Sequence, residues 1–210
     1  MTDRRPIASR NTGWAKRLTE KLAGTNITPN QISIASMVAA ALAGLAFYFG
    51  ALMPGFGGVV LLILAAVFCQ LRLICNLLDG MVAVEAGKSA ADGAFWNEAP
   101  DRVSDVLIFV GLGMGLGQPA LGWAAAAAAL TTAYIRELGR ATTGENDFCG
   151  PMAKPQRMAV ITLAVVIAIM QPLWGGSFEI LLIALWVVAL GALATALRRS
   201  ARLITRLKQA

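Results

Sequence analysis

The sequence predicts an all-α integral membrane fold, with six transmembrane helices behind an N-terminal interfacial amphipathic helix. Three observations carry this expectation. Apolar residues make up 57% of the 210 and charged residues only 14%, for a mean hydropathy of +0.65. Soluble domains run near 25% charged. The 50 residues 22–71 and the 30 residues 106–135 contain no charge, and about 20 apolar residues suffice to cross a hydrocarbon core. All 18 Lys and Arg fall in the tails, in the 79–102 and 136–157 connections, or at their margins.

The elements follow in chain order. Residues 1–27 form the amphipathic N-terminal segment. Trp14, Leu18 and Leu22, spaced four apart, share a helical face that suits the headgroup layer. Thr28-Pro29-Asn30-Gln31 reads as a helix start, with Thr as N-cap, Pro at the first helical position and Gln closing a capping box. The first span then covers 32–50, and Met53-Pro54-Gly55 breaks it. The second covers 57–78, the third 100–116, and Gly117-Gln118-Pro119 turns the chain into a fourth over 121–141. The fifth covers 153–170. Gln171-Pro172 through Ser177 leads into the sixth, 178–197, and 198–210 reads as a basic tail whose arginines meet anionic headgroups. Spans three and five have short apolar runs and cross only if their polar ends line a protein cavity.

The turns at 51–56, 117–120 and 171–177 carry no cation, so both termini and both long connections are expected in the cytosol. That places a multi-pass protein in the cell membrane. The first span begins near Ile32 behind a basic segment, later than the apolar core of a cleavable signal, so no signal is expected. With no internal repeat or linker, residues 28–197 read as one six-helix core within a single domain. Gly111/Gly115 and Gly113/Gly117 form small-xxx-small pairs, and Ala124 to Ala129 offer another smooth face for close helix packing, within the chain or with a second copy.

The net charge of +6 is explained by the cytosolic excess of cations, so nucleic acid is not expected as a partner. Cys69, Cys75 and Cys149 read as reduced packing residues. The sequence contains no histidine, which excludes a His base or His-ligated metal and leaves carboxylates as the acid–base groups.

The chemistry-bearing stretch runs from Asn76 to Asp105. Asn76, Asp79 and Ala83 share one helical face, and Asn97, Asp101 and Asp105 share another. Antiparallel neighbours would bring the two faces together near the membrane surface. Acidic groups at membrane depth mark a function or a paired partner. Oxygen donors without His or Cys suit a hard cation, Mg²⁺ or Mn²⁺. The plain alternative is that these carboxylates cap helices or pair with Arg72 and Arg102.

The spacing resembles the CDP-alcohol phosphatidyltransferase family, whose signature is D-x2-D-G-x2-A-R-x8-G-x3-D-x3-D. Laid on Asn76 to Asp101 without gaps, it matches Asp79, Gly80, Ala83, Gly93 and Asp101. It departs at Asn76 and Asn97, where the family has Asp, and at Val84, where it has Arg. The resemblance implies a transferase that moves a substituted phosphoryl group from a CDP-linked lipid such as CDP-diacylglycerol to a small alcohol acceptor, phosphorylated in some members, and releases CMP. Carried over by position, Asp79 and Asp101 are metal ligands with Asn76 and Asn97, and Asp101 is also the catalytic base. Gly80, Ala83 and Gly93 line the nucleotide pocket. Glu98 restores part of the charge the asparagines lack; Glu85 and Asp105 are weaker substitutes. Lys154, Arg157, Arg136 and Arg140 are expected to hold the acceptor's anionic group. The resemblance also implies phospholipid biosynthesis, a homodimer and surrounding membrane lipids. A catalytically silent relative that binds nucleotide or lipid is the rival reading; a small transporter is another, weakened by acids that gather at one surface instead of the midplane.

Overall fold

The computed structural model describes residues 12–85, 87–88, 90–170 and 179–209. Seven helices account for it: α1 (Gly13–Ala23), α2 (Pro29–Leu52), α3 (Gly55–Glu85), α4 (Gly93–Gly115), α5 (Pro119–Thr143), α6 (Lys154–Ala168) and α7 (Glu179–Leu207). Residues 1–11 and the 171–177 turn lie outside the described residues.

Helix starts follow local chemistry. The Thr28 hydroxyl accepts from Gln31 N at 3.2 Å, and Gln31 Oε1 accepts from Thr28 N at 3.0 Å, closing the expected capping box. Gly55, at φ 71°, opens α3, and Pro119 and Pro155 sit in the first turns of α5 and α6. Gly144 ends α5 at φ 74°, a left-handed conformation that costs glycine little.

Three boundaries differ from the expectation, the first at the end of the second span, where α3 runs past 78 to Glu85. The helix of the third span, α4, begins at Gly93, well before Pro100, which lies inside it; polar Asn97, Asp101 and Asp105 therefore sit on continuous helix. The last helix runs on to Leu207, through most of the residues read as a basic tail. The charged side chains there hid a helix whose buried stripe continues past the apolar span.

α2 packs on α3 and α4, α4 on α5, α5 on α7, α7 on α6, and α6 on α3, which closes a ring of six helices. The α2–α4–α5 arc depends on glycine. Gly111 faces the Gly44 backbone, and a Cβ at Gly115 would lie 2.8 Å from Phe47 O. A Cβ at Gly113 would lie 2.6 Å from the Gly122 Cα. These small-residue faces therefore meet helices of the same chain; Gly117 is a turn residue at φ 68° instead. The interior is apolar, centred on Phe47, Leu62, Phe109, Leu112, Ile161 and Leu185.

Large apolar side chains also cover the outside: Val38, Leu45, Val67, Leu163, Trp186 and Leu190 are all exposed. α2, α3 and α7 are each long and apolar enough to cross a membrane. No strand occurs among the described residues. This is an all-helical membrane protein. α1 has the expected amphipathic form, but its inner face of Ala15, Leu18, Thr19 and Leu22 turns toward protein, with Leu18 and Leu22 against the Ile32–Leu78–Val82 cluster. Trp14 stays half-exposed.

Candidate functional site

One end of the ring gathers nearly all the buried charge. The C-terminal part of α3, the N-terminal part of α4, the C-terminal part of α5, the start of α6 and the later turns of α7 surround a cavity of about 550 Å³. Asn76, Asp79, Gly80 and Ala83 line it from α3; Gly93, Asn97, Glu98, Asp101 and Asp105 line it from α4. The two polar faces read from the sequence do face a common space. Gly80 and Gly93 have open space where a Cβ would point, so ligand can approach the backbone there.

Asp79 is buried at 3% exposure. Ser33 Oγ donates to its Oδ2 at 2.6 Å, and Gly80 N donates to its Oδ1 at 2.5 Å. Asp101 is held differently: Lys154 Nζ lies 2.5 Å from its Oδ2, while its Oδ1 is 3.4 Å from Arg72 Nη2 and makes no hydrogen bond. Lys154 Nζ also donates to Asn76 Oδ1. Asp105 bridges two guanidiniums, Arg72 at 3.0 Å and Arg157 at 2.6 Å. Arg72 is completely buried and also donates to Asp101 O at 3.2 Å. Three carboxylates thus face three cations.

The expected acceptor-binding cations divide into two groups. Lys154 and Arg157 are engaged by Asp101 and Asp105, and Arg157 also donates to Met152 O at 3.0 Å. Arg136 and Arg140 stand across the cavity on α5. Arg136 pairs with Glu98 at 2.5 Å and Glu137 at 2.7 Å. Glu98, pictured from sequence as a substitute metal ligand, is drawn toward Arg136 and Arg102. No three carboxylates, cysteines or histidines gather at metal-binding distance among the described residues. The oxygens on offer are two motif carboxylates and two amides.

Sequence reasoning placed Arg199 with the headgroup-facing tail. The structure buries it to 5% exposure beside the cavity, donating to Thr132 O at 2.8 Å and Cys149 O at 2.9 Å. Its signal was available in the register: Leu185, Val188, Ala192, Thr195 and Arg199 form one buried stripe at helical spacing. Arg72 and Asp105 gave weaker signals, as charges inside or next to apolar spans. Beside the cavity, Asp92 accepts from Asn30 Nδ2 at 3.2 Å and from Trp96 Nε1 at 2.8 Å. These donors hold its carboxyl below the usual range and tie the start of α2 to the start of α4.

No protein-family profile matches the chain; the likeness is to individual proteins. It is 31% identical over 100 residues to an archaetidylinositol phosphate synthase of Pyrococcus horikoshii, covering 48% of this chain and 48% of that one. It is 27% identical over 181 residues to a phosphatidylinositol phosphate synthase of Mycolicibacterium smegmatis, covering 82% and 76%. The Mycobacterium tuberculosis phosphatidylinositol phosphate synthase, crystallised with manganese and citrate, superposes with a TM-score of 0.75 over 91% of this chain and 89% of that one, at 19% identity. These relatives agree with the resemblance to the CDP-alcohol phosphatidyltransferase family carried by the residues from Asn76 to Asp101. A second crystal structure of the tuberculosis enzyme, with CDP-DAG bound, superposes with a TM-score of 0.73. At that identity the superpositions establish the fold, and this chain carries the same helical frame around its own set of side chains.

Proposed function

We propose that this chain is a divalent-metal-dependent phosphotransferase of phospholipid synthesis. It moves a substituted phosphoryl group from a CDP-linked lipid to an acceptor hydroxyl and releases CMP. The observation that carries this is the single cavity that joins Asp79, Asp101 and the open backbone at Gly80 and Gly93 to the cations of α5 and α7. Relatives named as phosphatidylinositol phosphate synthases and the CDP-DAG-bound neighbour support it.

The residues fit a hard divalent ion. The donor set is all oxygen, and Asp101 Oδ1 is a buried acceptor with no hydrogen bond. Asp79, Asp101 and the amide oxygens of Asn76 and Asn97 would hold Mg²⁺ or Mn²⁺, the metal found with the tuberculosis enzyme. Bound there, the ion neutralises the pyrophosphate and polarises the attacked phosphorus. The remaining work falls to the chain. Asp101 accepts the proton of the acceptor hydroxyl as its oxygen bonds to phosphorus and the bond to CMP breaks. Gly80, Ala83 and Gly93 receive the nucleotide. Arg136, Arg140 and Arg199 hold an anionic acceptor, with Arg199 taking the place read for Lys154 and Arg157.

All six helices α2–α7 span the membrane in this reading, as one domain with termini and cavity in the cytosol, and the chain works as a homodimer. α6, at 15 residues or about 22 Å, is short for a 30 Å core, and its polar start lines the cavity instead of meeting lipid. The test is CMP release from CDP-diacylglycerol with Mn²⁺ and a panel of alcohols and alcohol phosphates. Wild type is expected to turn over, and Asp79→Asn and Asp101→Asn to fall by at least 100-fold. No release from wild type with any acceptor would leave the silent-relative reading standing.

A further inference from the structure

We infer that Lys154 is a built-in cation standing in for one divalent ion, so that the site takes a single exchangeable metal; this rests on the phosphotransferase reading above. Its ammonium bridges Asn76 of α3 and Asp101 of α4, donating to Asn76 Oδ1 and lying 2.5 Å from Asp101 Oδ2. Asn76 and Asp101 are the first and last acidic positions of the family signature. A tethered ammonium therefore sits between side chains that the family offers to metal.

The charges agree with that placement. An Asp at 76 would put two negative charges around Lys154, which one ammonium neutralises only by half. With Asn76, one carboxylate and one neutral amide surround one positive charge, and the set balances. The deeper groups balance as well, since Asp105 takes both Arg72 and Arg157. The cluster of Asp79, Asp101, Asp105, Arg72, Lys154 and Arg157 is neutral before any ion arrives. A divalent ion entering it alone meets no net attraction. One entering with a pyrophosphate does, because the ligand brings the missing negative charge.

Of the three cations in this cluster, Lys154 is the one placed to touch that ligand. Its side chain is 24% exposed, against 0% for Arg72 and 5% for Arg157. An ammonium carries three donors, two of which are used, and the third is left for a phosphate oxygen. Its position is rigid: it is the first residue of α6, with Pro155 next in the opening turn.

The experiment counts metal. Full-length protein in lipid nanodiscs is titrated with Mn²⁺ by electron paramagnetic resonance, with CDP-diacylglycerol present, and CMP release is followed on matched samples that also receive the panel of alcohols and alcohol phosphates. Wild type is expected to bind one ion per chain. The double variant Asn76→Asp/Lys154→Met, which replaces the tethered cation with a carboxylate, is expected to bind two. Lys154→Met alone is expected to bind one ion at least tenfold more tightly in the absence of donor. Any wild-type count other than one, with CMP release intact, overturns the inference and leaves the phosphotransferase standing. A folded double variant that still binds one ion also overturns it. If that variant does not fold, the wild-type count decides. Wild type that releases no CMP at any Mn²⁺ concentration with any acceptor of the panel strikes the functional reading instead.

Discussion

Asp105 makes a sharp prediction because it alone bridges the two buried guanidiniums of Arg72 and Arg157 among the described residues. Its two oxygens hold Arg72 Nη2 at 3.0 Å and Arg157 Nη2 at 2.6 Å, and both guanidiniums are sealed from solvent. Arg72 Nε and Nη1 and Arg157 Nε already lack hydrogen-bond partners, and the other carboxylate oxygen beside Arg72, Asp101 Oδ1, stands back at 3.4 Å from its Nη2. Removing one member of a buried ion pair costs about 3–5 kcal/mol, because the remaining charge is uncompensated. Asp105→Asn keeps the shape and one acceptor oxygen, so the lower end applies, about 3 kcal/mol. For a chain of this size that corresponds to a fall in Tm of about 6–12 °C. Thermal unfolding in detergent, followed by intrinsic tryptophan fluorescence, measures it. The double variant Asp105→Asn/Arg72→Met removes one charge of each sign and is expected to regain at least half of the loss. A fall below 2 °C for Asp105→Asn would refute the reasoning, since it would mean that water or another group reaches these arginines freely.

Gly113→Ala places a Cβ 2.6 Å from Gly122 Cα and 2.9 Å from Gln118 O, and overpacking of this kind costs about 1–3 kcal/mol. Gly80→Ala meets nothing within 4 Å, so its Tm is expected to hold or rise while the KM for the CDP-linked donor increases; the two variants, assayed side by side, separate a packing glycine from a cavity glycine. For topology, single cysteines at Lys88 and Thr143, in a background without Cys69, Cys75 and Cys149, are expected to resist an impermeant thiol reagent in intact cells and to react after lysis.

Much of this fold was legible because membrane helices announce their ends locally. Thr28-Pro29-Asn30-Gln31 contains its own capping hydrogen bonds, and Pro54-Gly55 and Gly117-Gln118-Pro119 contain the residues that break helices. What misled was charge at a helix end. Apolarity stops near Leu197, yet the helix continues, because backbone hydrogen bonding does not depend on whether the side chain outside is leucine or arginine. The same habit placed Arg199 among lipid headgroups, although its register with Leu185 and Val188 marks an inward face. Glu98 shows the opposite limit. It sits beside Asn97 in sequence, but a helix turns adjacent residues about 100° apart, and Arg136, 38 positions away, decides where its carboxylate goes.

The two asparagines show most clearly what a motif leaves out. Counted along the signature, the site has lost half its negative charge, and that loss alone reads as a weakened metal site or a dead enzyme. Counted in space, the deficit disappears. Asp105 lies one helical turn beyond the signature, Arg72 one turn before it, and Lys154 and Arg157 come from a helix about 50 residues farther on. Together with Asp79 and Asp101 they form a neutral set. Four carboxylates with these same three cations would carry net negative charge and would suit ions that bind before substrate. Asn76 with Lys154 suits an ion that arrives with substrate. On the single-metal inference, the missing charge at Asn76 is matched from α6 by Lys154, whose ammonium also lies against Asp101.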